Sequence, residues 1–103
     1  MIKSKSKAKT PEIIELLWNE FVERMGLKFL TVIDYHMYPK MKMKSTEAVL
    51  KKPRLFKAVF IQTFGIESWL IFLKYLKTLC SELQIDYNYV LSWFGEEREE
   101  FIF

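Results

Sequence analysis

Leu27-Lys28-Phe29-Leu30-Thr31-Val32-Ile33-Asp34-Tyr35-His36-Met37-Tyr38 is the stretch on which the fold class turns. Phe29, Thr31, Ile33 and Tyr35 alternate and would form one face of a strand, in a run rich in β-branched and aromatic residues. Leu30, Ile33 and Met37 fall at spacings of three and four and fit a helical stripe equally well. The two readings differ in what else they require. A strand needs a partner, and no second convincing strand occurs in the 103 residues. The expectation is therefore a helix, ended by Pro39, because proline disfavours helical geometry in the residue before it.

The flanking segments agree with that choice. Upstream, Thr10-Pro11-Glu12 combines a capping residue, a proline at the first helical position and an early acid. Ile14, Leu17, Trp18, Phe21, Val22 and Met25 then recur as one apolar stripe, and Gly26 supplies the stop. Downstream, residues 39–44 form a basic connection, and Ser45 is expected to cap a short helix over Thr46–Lys51. Pro53 starts another helix with Phe56, Val59, Phe60 and Phe64 on one side, closed by Gly65. The longest helix begins near Glu67 and carries Trp69, Phe72, Leu73, Leu76, Leu79, Cys80 and Leu83 at core spacing. Asp86 caps a last short helix through Trp93 and Phe94, ended by Gly95. No internal repeat is evident along the chain. The fold expected is all-α, a compact single-domain bundle of five or six helices over residues 10–95. Residues 1–9 read as a flexible basic tail and 96–103 as an acidic and apolar one.

Composition supports this and narrows the function. Half the residues are hydrophobic and 17% are aromatic, with only three Gly and three Pro; a chain with so few turn formers is poorly suited to a sandwich or barrel. No window reaches the roughly 18 uninterrupted apolar residues of a membrane span. The N-terminus alternates Lys with Ser and Ala and reads as no secretory signal. With one cysteine, Cys80, no internal disulfide can form, and a reducing, cytoplasmic setting is expected. Richness in Lys, Glu and Ile with little Gln or Asn points to a heat-adapted source.

Enzymatic constellations are sparse. His36 is the single histidine, so one chain cannot build a multi-histidine metal site. Gly26, Gly65 and Gly95 stand alone after apolar helices and read as caps, with no phosphate-binding loop among them. No catalytic residue, metal or cofactor is expected. Glu96 and Glu97 lie in a terminal tail, a poor place to perturb a carboxylate.

Two features remain that packing does not absorb. Lys51, Lys52, Arg54 and Lys57 gather positive charge at the start of the Pro53 helix, where it opposes the helix dipole. They are the candidates for contact with an acidic partner or with phosphate. A nucleic-acid-binding role would use these four with the N-terminal arm and with Tyr35 and Tyr38 for stacking. The helix after Gly65, however, begins with Ile66, Trp69 and Leu70 in place of base-reading polar groups. The second feature is Phe101-Ile102-Phe103 beyond an acidic spacer, a segment suited either to fold back on its own domain or to dock on a partner. Basic and acidic regions lie apart along the chain, and a two-fold homodimer would pair them.

The order of Gly26, Tyr35-His36-Met37, Pro53 with Phe56, and Phe64-Gly65 resembles the small archaeal output-domain family first named from Nitrosopumilus signalling proteins. The resemblance spans roughly residues 11–83. It departs from the family pattern at Lys52, where an acid usually precedes the proline, and in the acidic C-terminal extension. It implies a helical domain that stands alone or ends archaeal signalling chains, and it carries over no catalytic residue. The expected function is a non-enzymatic helical interaction or regulatory module; the alternative is a small nucleic-acid-binding protein.

Overall fold

The computed structural model describes residues 11–96. Six helices follow one another: α1 (Pro11–Met25), α2 (Leu27–Met41), α3 (Ser45–Lys51), α4 (Pro53–Phe64), α5 (Ile66–Leu83) and α6 (Tyr87–Trp93). No strand occurs among the described residues. The ambiguous stretch is helical, and its stripe explains why: Ile33, Met37 and Met41 are buried, while Thr31, Val32 and Tyr35 are exposed.

The expectation for Pro39 is corrected. It lies inside α2, which runs on to Met41. Proline removes one backbone donor and crowds the preceding turn, but Pro39 and Tyr35, whose carbonyl it frees, are both exposed, so that carbonyl is open to solvent. Buried Met37 and Met41 hold the last turn down. The helix stops at Lys42, whose left-handed backbone (φ 63°) aims its N–H at the Tyr38 carbonyl.

Ser45 is also corrected. It is the first residue of α3 and wholly buried, and Lys44 occupies the capping position. The cap is tertiary: the Asp34 carboxylate on α2 accepts the Ser45 backbone N–H at 2.7 Å, satisfying a donor that a helix start otherwise leaves open. Asp86, by contrast, caps α6 as the sequence reading expected, accepting from the Asn88 N–H at 3.0 Å.

The architecture holds a repeat that the residue types do not announce. A long helix, a single glycine, a second long helix, a left-handed residue and a seven-residue helix occur twice. Gly26 (φ 96°, ψ 156°) and Gly65 (φ 96°, ψ 159°) have nearly the same backbone, and the left-handed residues are Lys42 and Gln84. The second unit has a shorter first helix and a longer second one, 12 and 18 residues against 15 and 15. The separation of Gly26 from Gly65 also relates buried residues: Leu17 to Phe56, Phe21 to Phe60, Ile33 to Phe72, Met37 to Leu76, and Met41 to Cys80. Packing follows the same rule. Helix α1 packs on α2 and α5, and α4 packs on α5 and α2, a closed ring that exchanges into itself when the units are swapped.

An aromatic cluster fills the ring. Phe56 stands 5.7–6.3 Å, centroid to centroid, from Phe60, Trp18, Phe72, Phe94 and Trp69. Each such buried side chain contributes about 1.5–3 kcal/mol through area removed from water. The short helices α3 and α6 close one side. Trp93 Nε1 donates to the Val49 carbonyl at 2.8 Å and joins α6 to α3. Trp18 Nε1 donates to the Thr46 hydroxyl at 2.8 Å and joins α1 to α3.

Past the end of α6 the chain turns at Phe94 and Gly95. Glu96 is half-buried, and its carboxylate accepts from Trp69 Nε1 and meets Lys57 Nζ, both at 2.8 Å. It belongs to the domain, not to a solvated tail. Met25, expected in the core stripe, is instead 40% exposed.

Candidate docking groove

The two glycine corners set the geometry of an open apolar groove. A corner of one residue between long helices demands a backbone that side chains resist; positive φ with ψ near 160° is a region that essentially only glycine occupies. Cross-ties then fix where the second helices end. Lys40 Nζ, late in α2, donates to the Thr63 hydroxyl beside the Gly65 corner at 3.2 Å. Arg24, beside the Gly26 corner, meets Glu82 late in α5 at 2.7 Å and Glu20 at 2.8 Å. Hydrogen bonds to Glu82 and then to Glu20 raise the Arg24 pKa. Helix α2 therefore runs from one corner to the other, and α5 runs back.

Between these two helices lies a groove of about 450 Å³. Its sides and floor come from four helices: Phe21 and Met25 of α1, Phe29, Val32 and Ile33 of α2, Phe60 and Phe64 of α4, and Ser68, Ile71, Phe72 and Tyr75 of α5. Ten of these eleven form pairs with the spacing of the two glycines: Phe21 with Phe60, Met25 with Phe64, Phe29 with Ser68, Val32 with Ile71, Ile33 with Phe72. The eleventh, Tyr75, corresponds to His36, whose ring stands 5.9 Å from that of Phe64. The groove thus sits where the two units face each other.

Its chemistry is simple. Ser68 and Tyr75 bring the only side-chain polar groups to the lining. The floor is aromatic, with Phe21 and Phe72 edge to face at 5.1 Å and Tyr75 at 5.7 Å from Phe21. The rim is uncovered: Ile71 is 70% exposed, Val32 52% and Met25 40%. A volume in the range of roughly 300–1,000 Å³ with mainly hydrophobic and aromatic walls is what ligand and peptide sites commonly offer.

The residues singled out from sequence lie elsewhere. Lys51 is exposed and pairs loosely with Glu47 at 3.6 Å. Lys52 is the exposed junction between α3 and α4. Arg54 lies across Gly95, where a side chain would meet its Nε at 3.0 Å. Lys57 is half-buried against Glu96. Two of the four cations are therefore already met by carboxylates. Phe101, Ile102 and Phe103 lie outside the described residues, as do the basic arm and the Thr10 cap. Tyr35 and Tyr38 are exposed on α2.

The groove itself was missed by the sequence reading, which assigned the stripes to core. One signal was available: Val32 and Ile71 are apolar residues beside their stripes, not in them, and each widens an apolar face past what one packed side needs.

Cys80 is buried, and burial together with the nearby Asp86 charge pushes its thiol up to about 12, which favours the protonated thiol near neutral pH. Burial raises the Tyr87 phenol as well, which donates to the Leu73 carbonyl at 3.1 Å. Among the described residues no three His, Cys, Asp or Glu side chains are grouped to hold a metal ion. No described helix is long and apolar enough to cross a membrane. Fold and groove together define a helical domain with an open apolar groove on one face. Comparison of the chain with protein-family models, curated proteins and solved structures finds no match.

Proposed function

We propose that this protein is a non-enzymatic helical interaction module, which receives an apolar polypeptide segment in the groove between α2 and α5. The observation that carries this reading is the uncovered rim. Val32, Ile71 and Met25 stand exposed around an aromatic floor, an arrangement that surfaces of single proteins rarely leave without a partner. Recognition of a segment laid into such a groove rests on apolar anchors, with polar groups at the edge setting direction. The reading of a phosphate-contacting patch draws less support, since Lys57 and Lys51 face carboxylates. A regulatory role in a signalling chain, of the kind the resemblance to the archaeal output domains implies, is compatible with this module. A reducing, cytoplasmic setting accords with a lone cysteine sealed in the core.

The test is selection from a randomised peptide library. The bait is the full-length chain with Phe101→Asp, Ile102→Asp and Phe103→Asp, so that its own apolar run does not compete. Expected binders carry two or three large apolar residues, compete with one another, and are lost on adding Ile71→Glu. That change, at an exposed site, leaves the urea midpoint nearly unmoved. Binders indifferent to both Ile71→Glu and Val32→Glu, or no binders, defeat the reading.

A further inference from the structure

We infer that the groove is filled by the chain's own segment Glu97–Phe103, with Phe101, Ile102 and Phe103 set on the aromatic floor and the acidic residues directed to the α2 side. This rests on the reading of the groove as a docking site, and it names the occupant.

Three observations point to this segment. The first is where the described chain leaves off. Glu96 is anchored to Trp69 of α5 and Lys57 of α4 at 2.8 Å; neither residue lines the groove, but Ser68, next to Trp69 in the chain, does. Phe101 follows five residues later, within about 17 Å of extended chain. The second is chemical match. Phe101-Ile102-Phe103 has no side-chain polar atom, and the lining offers none beyond Ser68 and Tyr75. An apolar segment loses no side-chain hydrogen bond on entering, whereas a polar one would leave buried groups unsatisfied.

The third is charge. Glu97, Glu99 and Glu100 outnumber Arg98 in the segment. Helix α2 carries Lys28 and Lys40, and neither has an ion-pair partner among the described residues. Lys28 lies one turn before Val32 on the same helix, so the groove's α2 rim is cationic. On α5, Glu67 and Glu82 balance Lys74 and Lys77, whereas α2 sets Asp34 alone against Lys28 and Lys40. The acidic spacer therefore distinguishes the two otherwise matched walls.

The experiment compares the full-length chain with the triple variant Phe101→Asp, Ile102→Asp, Phe103→Asp, using the dye 8-anilinonaphthalene-1-sulfonate as the probe of apolar surface. The wild type is expected to give weak dye fluorescence and the variant a several-fold stronger signal. A synthetic peptide of residues 97–103 should displace the dye from the variant. Adding Lys28→Glu and Lys40→Glu should weaken that peptide about tenfold, which is ~1.4 kcal/mol. Urea midpoints establish that each protein is folded. Equal dye binding by wild type and variant, with no displacement by the peptide, overturns the inference. So does a dimer by light scattering that survives the triple change but is lost with Ile71→Glu, because the occupant is then the groove face of a second copy. Library peptides that bind the variant while peptide 97–103 does not would leave the groove a docking site and remove this segment from it. If neither binds, both readings fall.

Discussion

The side of the molecule closed by α3 and α6 and the groove between α2 and α5 are made from similar residues and end differently. Both are rich in aromatic rings. On the closed side, Trp18, Trp69 and Trp93 each find a 2.8 Å acceptor for the indole N–H, at Thr46, Glu96 and Val49. A tryptophan so bonded buries a large apolar body with no polar group left over. In the groove, phenylalanines line the floor, and no described helix lies over them. The difference teaches that, among the described residues, the ring of four long helices is covered on one side and open on the other. The short helices α3 and α6 supply the cover.

That contrast can be broken by measurement. The largest effect belongs to the closed side. Trp69→Ala removes a fully buried ring and leaves Glu96 with Lys57 alone; a loss of about 3–5 kcal/mol is expected from urea unfolding. A cost no larger than that of Ile71→Ser at the exposed rim would erase the distinction between the two sides.

Alkaline pH should act on the closed side next. The folded Cys80 thiol titrates at about 12 against an ordinary 9.0, so above pH 9 the unfolded chain releases a proton that the folded chain keeps. Fewer protons on the unfolded state mean that stability falls as pH rises, by up to ~1.4 kcal/mol per pH unit for this group, until about pH 12. Tyr87, also raised by burial, adds a loss of the same sign at higher pH. Urea midpoints measured through this range should decline less steeply in Cys80→Ala than in the wild type. Parallel slopes would show that the thiol is not held neutral by burial.

The glycine corners give the smallest and most symmetrical test. A Cβ at Gly26 or Gly65 meets no atom within 4 Å, so Gly26→Ala and Gly65→Ala cost only backbone strain, about 1–3 kcal/mol each. Similar losses of stability support two equivalent units. A twofold or greater disparity in that free energy would show that one corner bears strain the other does not. Gly95→Ala is a different case, because Arg54 stands at 3.0 Å.

How far these features were legible follows from the range of the forces involved. Helix positions were legible because apolar periodicity and the caps at Pro11, Pro53, Gly26, Gly65 and Asp86 act within a turn or two of chain. Pro39 misled because the rule for proline is local, while the buried Met37 and Met41 that carry α2 past it gain their energy from α3 and α4 around them. Ser45 misled for the same reason: its helix is capped by Asp34, eleven residues away. Glu96 looked like a tail because nothing nearby in sequence shows that Trp69 and Lys57 await it.

The amino-acid sequence by itself determined that the chain is all-α, where most helices start and stop to within a residue or two (the end of α2 past Pro39 excepted), and which side of each helix is apolar. Those properties arise from backbone sterics and from side chains a turn apart. Only the tertiary structure decided that the six helices form two matching units, that three indoles lock one side, and that Val32 and Ile71 stand uncovered across a groove from each other. These depend on residues 27 to 44 positions apart meeting in space, and no local rule carries that distance.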